Sequence, residues 1–120
     1  MKAKCAVVML VCADLERSRD FYRDVLGLDV KTNEIPYRVD FELAEGMLLG
    51  LHPKTEILTV RPGSVQLSFT VENVDRFVGE ARKATVPIFQ DPYDDSFGRV
   101  AIISDPDGYP VQVVTYSKRP

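Results

Sequence analysis

The chain has 120 residues, 45% of them hydrophobic and 28% charged, with a formal net charge of −3 at pH 7. That is enough for one soluble domain with a modest core and too little for two independent domains of ordinary size. No Lys/Arg stripe offers itself to nucleic acid, and no apolar run approaches the roughly 20 residues of a membrane helix.

The N-terminal MKAKCAVVMLV reads as a first strand rather than a signal peptide, because acidic residues follow at once and no small-residue cleavage site is convincing. Its continuous apolar run over 7–11 predicts a strand covered on both faces. Cys5 and Cys12 lie seven apart, on opposite faces of such a strand, so they are expected to be separate buried thiols in a reducing cytoplasm. Asp14 is placed to cap a helix that begins near Leu15 or Glu16. Leu15, Ser18, Phe21, Val25 and Leu26 fall at helical spacing, and Gly27 ends the helix. Residues 28–31 predict a strand, 38–43 a half-buried alternating strand, Glu45-Gly46 a turn and 47–52 another strand.

The stretch PKTEILTVRPG holds two prolines and a glycine and reads as a linker. Residues 64–71 then alternate as a strand. Asn73 caps a helix whose inner face is Val74, Phe77, Val78 and Ala81. Residues 86–89 predict a short strand, 90–98 (QDPYDDSFG) a loop and 100–103 a strand. Asp105-Pro106-Asp107-Gly108 is a strong turn before a last strand over 109–116. The order is β-α-β-β-β, twice. The chain is therefore one domain of two modules, about 1–53 and 64–120, joined by a linker at 54–63. The halves are also alike in sequence, with Asn73 standing 59 residues after Asp14 and RVAIISDPDGYPVQVV paralleling RVDFELAEGMLLGLHP at an offset of about 61–62.

Two segments, DLERSRDFYRDVLGLDV (14–30) and DPDGYPVQVV (105–114), resemble the vicinal oxygen chelate superfamily. That group includes glyoxalase I, extradiol dioxygenases, fosfomycin-resistance enzymes and bleomycin-binding resistance proteins. The resemblance implies an α+β fold in which two βαβββ modules form a curved mixed sheet with a central groove. It implies little about activity, since one fold carries many.

Metal-dependent members place His, Gln or Glu at matching points on four strands, where the ion holds and polarises a substrate with adjacent oxygens. Carried over residue by residue, those points are Val7, Gly50, Gln66 and Gln112. Val and Gly have no donor atom, and two neutral amides are poor ligands for a divalent ion. His52 lies two residues from Gly50 on the same strand face, which leaves His52, Gln66 and Gln112 as the one conceivable metal set.

Strand parity lists the groove face. It holds Cys5, Val7, Met9 and Val11 of the first strand, and Leu48, Gly50 and His52 of the fourth. The fifth strand adds Gln66, Ser68 and Thr70, and the last adds Pro110, Gln112 and Val114. Leu67, Phe69 and Val71 turn toward the helices. An apolar wall with a few amides and hydroxyls suits a small-molecule site. Gln66 and Gln112 either contact a ligand or bond to each other, backbone or water. His52 is a general base or ligand contact, or else a half-exposed strand-end residue. Arg38 and Arg99 occupy equivalent places in the repeat, where they grip an anion or pair with neighbouring carboxylates. Phe89, Tyr93 and Phe97, with Asp91, Asp94 and Asp95, make the 90–98 segment an acidic aromatic loop suited to a planar or cationic ligand, or an ordinary solvated loop.

Two functions compete. The first is a metal-free, cytoplasmic, homodimeric protein that binds a small molecule and sequesters an antibiotic or aromatic metabolite. The second is a lyase, isomerase or dioxygenase with an atypical His/Gln site for zinc, nickel, manganese or iron. Whether the chain is an enzyme stays open, with Val7 and Gly50 weighing against it.

Overall fold

The computed structural model describes residues 1–117. The chain divides into two compact units, Met1–Val60 and Arg61–Pro120. In the first, strand β1 (Val7–Val11) leads to helix α1 (Leu15–Asp20), which continues as a π-helical turn over Phe21–Val25. Strands β2 (Asp29–Glu34), β3 (Arg38–Ala44) and β4 (Met47–His52) follow. The second unit opens with a 3₁₀ turn over Pro62–Ser64, then β5 (Leu67–Thr70) and α2 (Val74–Lys83). It closes with β6 (Ile88–Asp94), β7 (Gly98–Ser104) and β8 (Pro110–Tyr116). The sheets have the same plan, β1-β4-β3-β2 and β5-β8-β7-β6. In each, the first strand pairs parallel with the last, and the remaining pairs are antiparallel. The fold is α+β with two mixed four-stranded sheets, as the repeat predicts.

The helix starts follow from the caps. Asp14 Oδ1 accepts from the Arg17 N–H at 3.1 Å and Asn73 Oδ1 from the Arg76 N–H at 2.9 Å, each satisfying an otherwise orphan donor of the first turn. Each sheet buries the side toward its helix. In the first unit that side carries Val39, Phe41, Leu49 and Leu51, all fully buried. Tyr22 meets Phe41 there with ring centroids 6.0 Å apart and Phe21 edge-on at 5.1 Å. In the second unit Ala101, Ile103, Val111 and Val113 lie under Val74, Val78 and Ala81. Each fully buried Val, Leu, Ile or Phe contributes about 1.5–3 kcal/mol. The turn before β8 is fixed by Asp105, whose Oδ1 accepts from the backbone N–H groups of Asp107 and Tyr109, both at 2.9 Å. The Tyr109 hydroxyl in turn accepts from the Arg61 N–H at 3.3 Å, anchoring the segment that enters the unit.

Several expectations are corrected. Strand β1 is an edge strand and is not covered on both faces, since Val8 is 36% exposed. Cys5 precedes the strand and is exposed, whereas Cys12 follows it and is buried; both are free thiols. The first helix is α-helical only to Asp20. Strand β5 starts at Leu67, so Gln66 precedes it, and Phe77 is half-buried rather than core. Most of the supposed 90–98 loop is strand, because β6 runs to Asp94 with register shifts between Ile88 and Gln90 and between Gln90 and Tyr93. Pro92 is tolerated there because β6 is an edge.

Candidate functional site

In the second unit, the sheet face turned away from α2 holds a cleft of about 200 Å³ lined by Asp95, Phe97, Val100, Gln112, Val114 and Tyr116. Strand register explains the lining. Gln112 stands between Ser68 of β5 and Ile102 of β7, and Val114 pairs with Val100, which pairs with Tyr93. Val100 and Val114 are 2% and 1% exposed and form a closed apolar floor. Gln112 is half-buried, and its Oε1 accepts from the Ser68 hydroxyl at 2.7 Å.

The aromatic wall is held by backbone. Asp95 Oδ1 accepts from the N–H groups of Phe97 at 2.7 Å and Gly98 at 3.0 Å. The Phe97 carbonyl accepts from the Ser117 N–H at 2.8 Å. Gly98, at φ +156°, sits where a Cβ would collide with the Thr115 carbonyl, so the turn approaches β8 closely. Phe97 and Tyr93 are each 42% exposed. A large ring held open to solvent on a tied turn is a ready contact for a flat apolar ligand.

The matching face of the first unit is built differently. Met9 pairs with Gly50, and Gly50 with Asp40. A Cβ on Gly50 would strike Met9 Sδ and stand 2.9 Å from Asp40 Oδ1 and 3.2 Å from Val7 Cγ2, so any larger residue makes these side chains shift. Asp40 is 4% exposed, and both its oxygens accept from Arg38 Nε, at 2.7 and 2.8 Å. This buried charge is paired, as burial demands. Asp40 escaped the sequence reading as a site residue, though an acid between Val39 and Phe41 in a regular alternation was the available signal.

The other candidates fall as follows. His52 pairs in register with Val11 at the end of β4, is half-exposed, and bonds the Pro53 carbonyl through Nδ1 at 2.8 Å. Gln66 is exposed. Arg99 does not match Arg38. It pairs with Thr115, on the helix-facing side, and its guanidinium bonds Asp75 of α2 at 3.0 and 3.1 Å and lies 3.3 Å from Asp94. The Arg99 hydrogen bonds hold the Asp75 carboxyl below its ordinary value, and Asp75 raises the guanidinium in return. Asp91 bonds Arg82 of α2. The acidic cluster is thus divided among two helix-side pairs and one turn, and only Asp95 borders the cleft. Among the described residues no group of three His, Cys, Asp or Glu is placed to hold a metal ion, and no helix is long and apolar enough to cross a membrane.

Two βαβββ units with parallel outer pairing define the class: residues 4–113 match the model of the Glyoxalase/Bleomycin resistance protein/Dioxygenase superfamily, and the chain belongs to it. It is similar to the phenazine antibiotic resistance protein EhpR of Enterobacter agglomerans, at 31% identity over 113 residues, 88% of this chain and 86% of that one. Among solved structures it is similar to ATC0852 from Agrobacterium tumefaciens, with 28% identity, a TM-score of 0.81, and 97% and 99% of the two chains covered. The antibiotic binding protein TnmS3 from Streptomyces sp. CB03234 shares the fold, with a TM-score of 0.79 at 22% identity over 97% and 98% of the chains.

Proposed function

We propose that the chain binds and sequesters a small planar aromatic compound, without a metal, using the β7–β8 cleft of its second unit. The observation that carries this reading is the cleft itself: a closed apolar floor, an aromatic residue fixed by its backbone, and one polar amide. Apolar lining with few directed polar groups is the usual make-up of a small-molecule site. At about 200 Å³ the cleft is smaller than a typical ligand pocket, so it seats one end of the ligand. The 31% identity to a phenazine resistance protein supports the choice of a flat aromatic.

The residues at the family's metal positions do not suit a divalent ion. Val7 and Gly50 bring no donor, Gln66 is an exposed neutral amide ahead of β5, and the Gln112 carbonyl already accepts from Ser68; the nearby Asp40 is bound to Arg38. A catalytic ion ordinarily has three good protein ligands. The same reading takes the protein to be a homodimer and, with two free thiols, cytoplasmic.

Titration calorimetry against phenazine, quinone and peptide antibiotics tests the proposal. Heat is expected with flat aromatic compounds, and none with any of them would overturn sequestration. Stoichiometric zinc, nickel, manganese or iron in protein purified without a histidine tag would instead favour an enzyme using His52, Gln66 and Gln112. Light scattering that shows a monomer at micromolar concentration would remove the dimer.

A further inference from the structure

We infer that Asp95 sets the charge preference of the cleft, so that it takes flat aromatics carrying a positive charge over neutral rings of the same shape. This rests on the binding function proposed above and adds the class of ligand that is chosen.

The acids of β6 and the turn after it do not share one fate. Asp91 is bonded to Arg82, and Asp94 shares Arg99 with Asp75. Both of those cations bind on the α2 side of the sheet. Asp95 has no ion pair among the described residues, and it is the one acid of the segment that borders the cleft. No basic side chain lines the cleft to oppose it. The helix-side charges therefore cancel locally, and a single carboxylate stays uncompensated at the rim.

That carboxylate is also held in place. Its Oδ1 accepts from the Phe97 N–H at 2.7 Å and the Gly98 N–H at 3.0 Å. Its Oδ2 has no hydrogen-bond partner among the described residues and remains an open acceptor. In free solvent an added ion pair at such a group is worth little, because water already serves it. A ring laid on the Val100–Val114 floor displaces part of that water, which strengthens any charge interaction left at the rim. A cationic ring replaces the lost water with an opposite charge. A neutral ring without a donor leaves the carboxylate partly dehydrated and uncompensated. Phe97 and Tyr116 line the same cleft, and the faces of such rings attract a cation. Gln112 does not discriminate here, since its amide both donates and accepts. The first unit offers no equivalent, because its buried Asp40 is neutralised by Arg38.

Two tricyclic probes of similar shape separate the cases at pH 7.5: 9-aminoacridine, which is protonated, and acridine, which is neutral. Binding of both is measured on the intact protein by fluorescence, for wild type, Asp95→Asn, Asp95→Ser and Asp91→Asn. Wild type is expected to favour 9-aminoacridine. Asp95→Asn keeps an oxygen for the turn but removes the charge, and lowers the 9-aminoacridine-to-acridine ratio about fivefold, the size of a partly solvated ion pair. Asp91→Asn changes the net charge of the protein equally but lies off the cleft, and leaves the ratio as in wild type. Melting temperatures near wild type show that the variants are folded, and Asp95→Ser, whose hydroxyl also accepts from the turn, carries the test if Asp95→Asn is not. If the probes bind but wild type shows no preference for the cation, or Asp95→Asn leaves the ratio unchanged, or Asp91→Asn lowers it as much, Asp95 has no such role, while the binding function stands. If neither probe binds wild type, the binding function falls, and the charge inference with it.

Discussion

At matching registers the two sheets place Met9, Gly50 and Asp40 side by side in one unit and Ser68, Gln112 and Ile102 in the other. The polar group has moved one strand over. In the first unit it is a carboxylate on β3, buried, neutralised by Arg38 and packed over a glycine. In the second it is a neutral amide on β8, half-buried, beside an open cleft. One face is filled and held by charge, and the other is left partly empty and floored by valines. On the proposed function, the duplicated scaffold assigns stability to one copy and recognition to the other without altering strand order.

The strongest way to break this contrast is Arg38→Met, which strands the Asp40 carboxylate. We expect a loss of about 3 kcal/mol in a denaturant melt, at the low end for buried pairs because Arg38 is partly exposed. Adding Asp40→Leu should recover at least half of it, and a double variant as weak as the single one would contradict a charge-held face. Next in size is Gly50→Val, expected to cost about 2 kcal/mol by overpacking against Met9 and Asp40. Met9→Ala added to it should return part of that.

On the recognition side, Phe97→Ala should weaken acridine binding about tenfold, a loss consistent with removing an aromatic contact, with little change in melting temperature. Tyr37→Ala, at a more exposed ring of the first unit, should leave acridine binding unaltered. The smallest effect concerns pH. The Asp75 carboxyl is held below its ordinary value of 3.8, so its pairing with Arg99 contributes stability above that pH, lost as pH falls through the lowered folded value. Thermal melts from pH 6 to pH 2.5 should therefore show a slight acid-side loss that Asp75→Asn removes, while binding at neutral pH stays the same.

Much of the scaffold was legible because its signals are local. Asp14 and Asn73 announce their helices through short side-chain bonds, and the alternation of Val39, Phe41 and Leu43 is read directly from strand period. What failed was register. Arg38 and Arg99 differ by 61 positions, whereas Gly50 and Gln112 differ by 62. A slip of one residue in a strand exchanges its two faces. Arg99 consequently belongs with α2, and the true counterpart of Asp40 is Ile102. Strand β6 was missed because QDPYDD is polar and contains proline, traits that an edge strand with bulges accepts. The lack of donor atoms at Val7 and Gly50 is read from residue type alone and holds in any conformation.

The crowding at Gly50 also bears on how this sequence can change. Any donor side chain arriving at position 50 meets Met9 and Asp40 already in its space, and removing Asp40 first strands Arg38 on a face built around the pair. A metal ligand at that position therefore requires the Met9 and Asp40 side chains to shift from their present places. The second unit has no such obstacle, because Ser68, Gln112 and Phe97 border space and not packed neighbours. Variation between close relatives should accordingly concentrate around β5, β8 and the Asp95–Gly98 turn, while positions 9, 38, 40 and 50 change together or not at all.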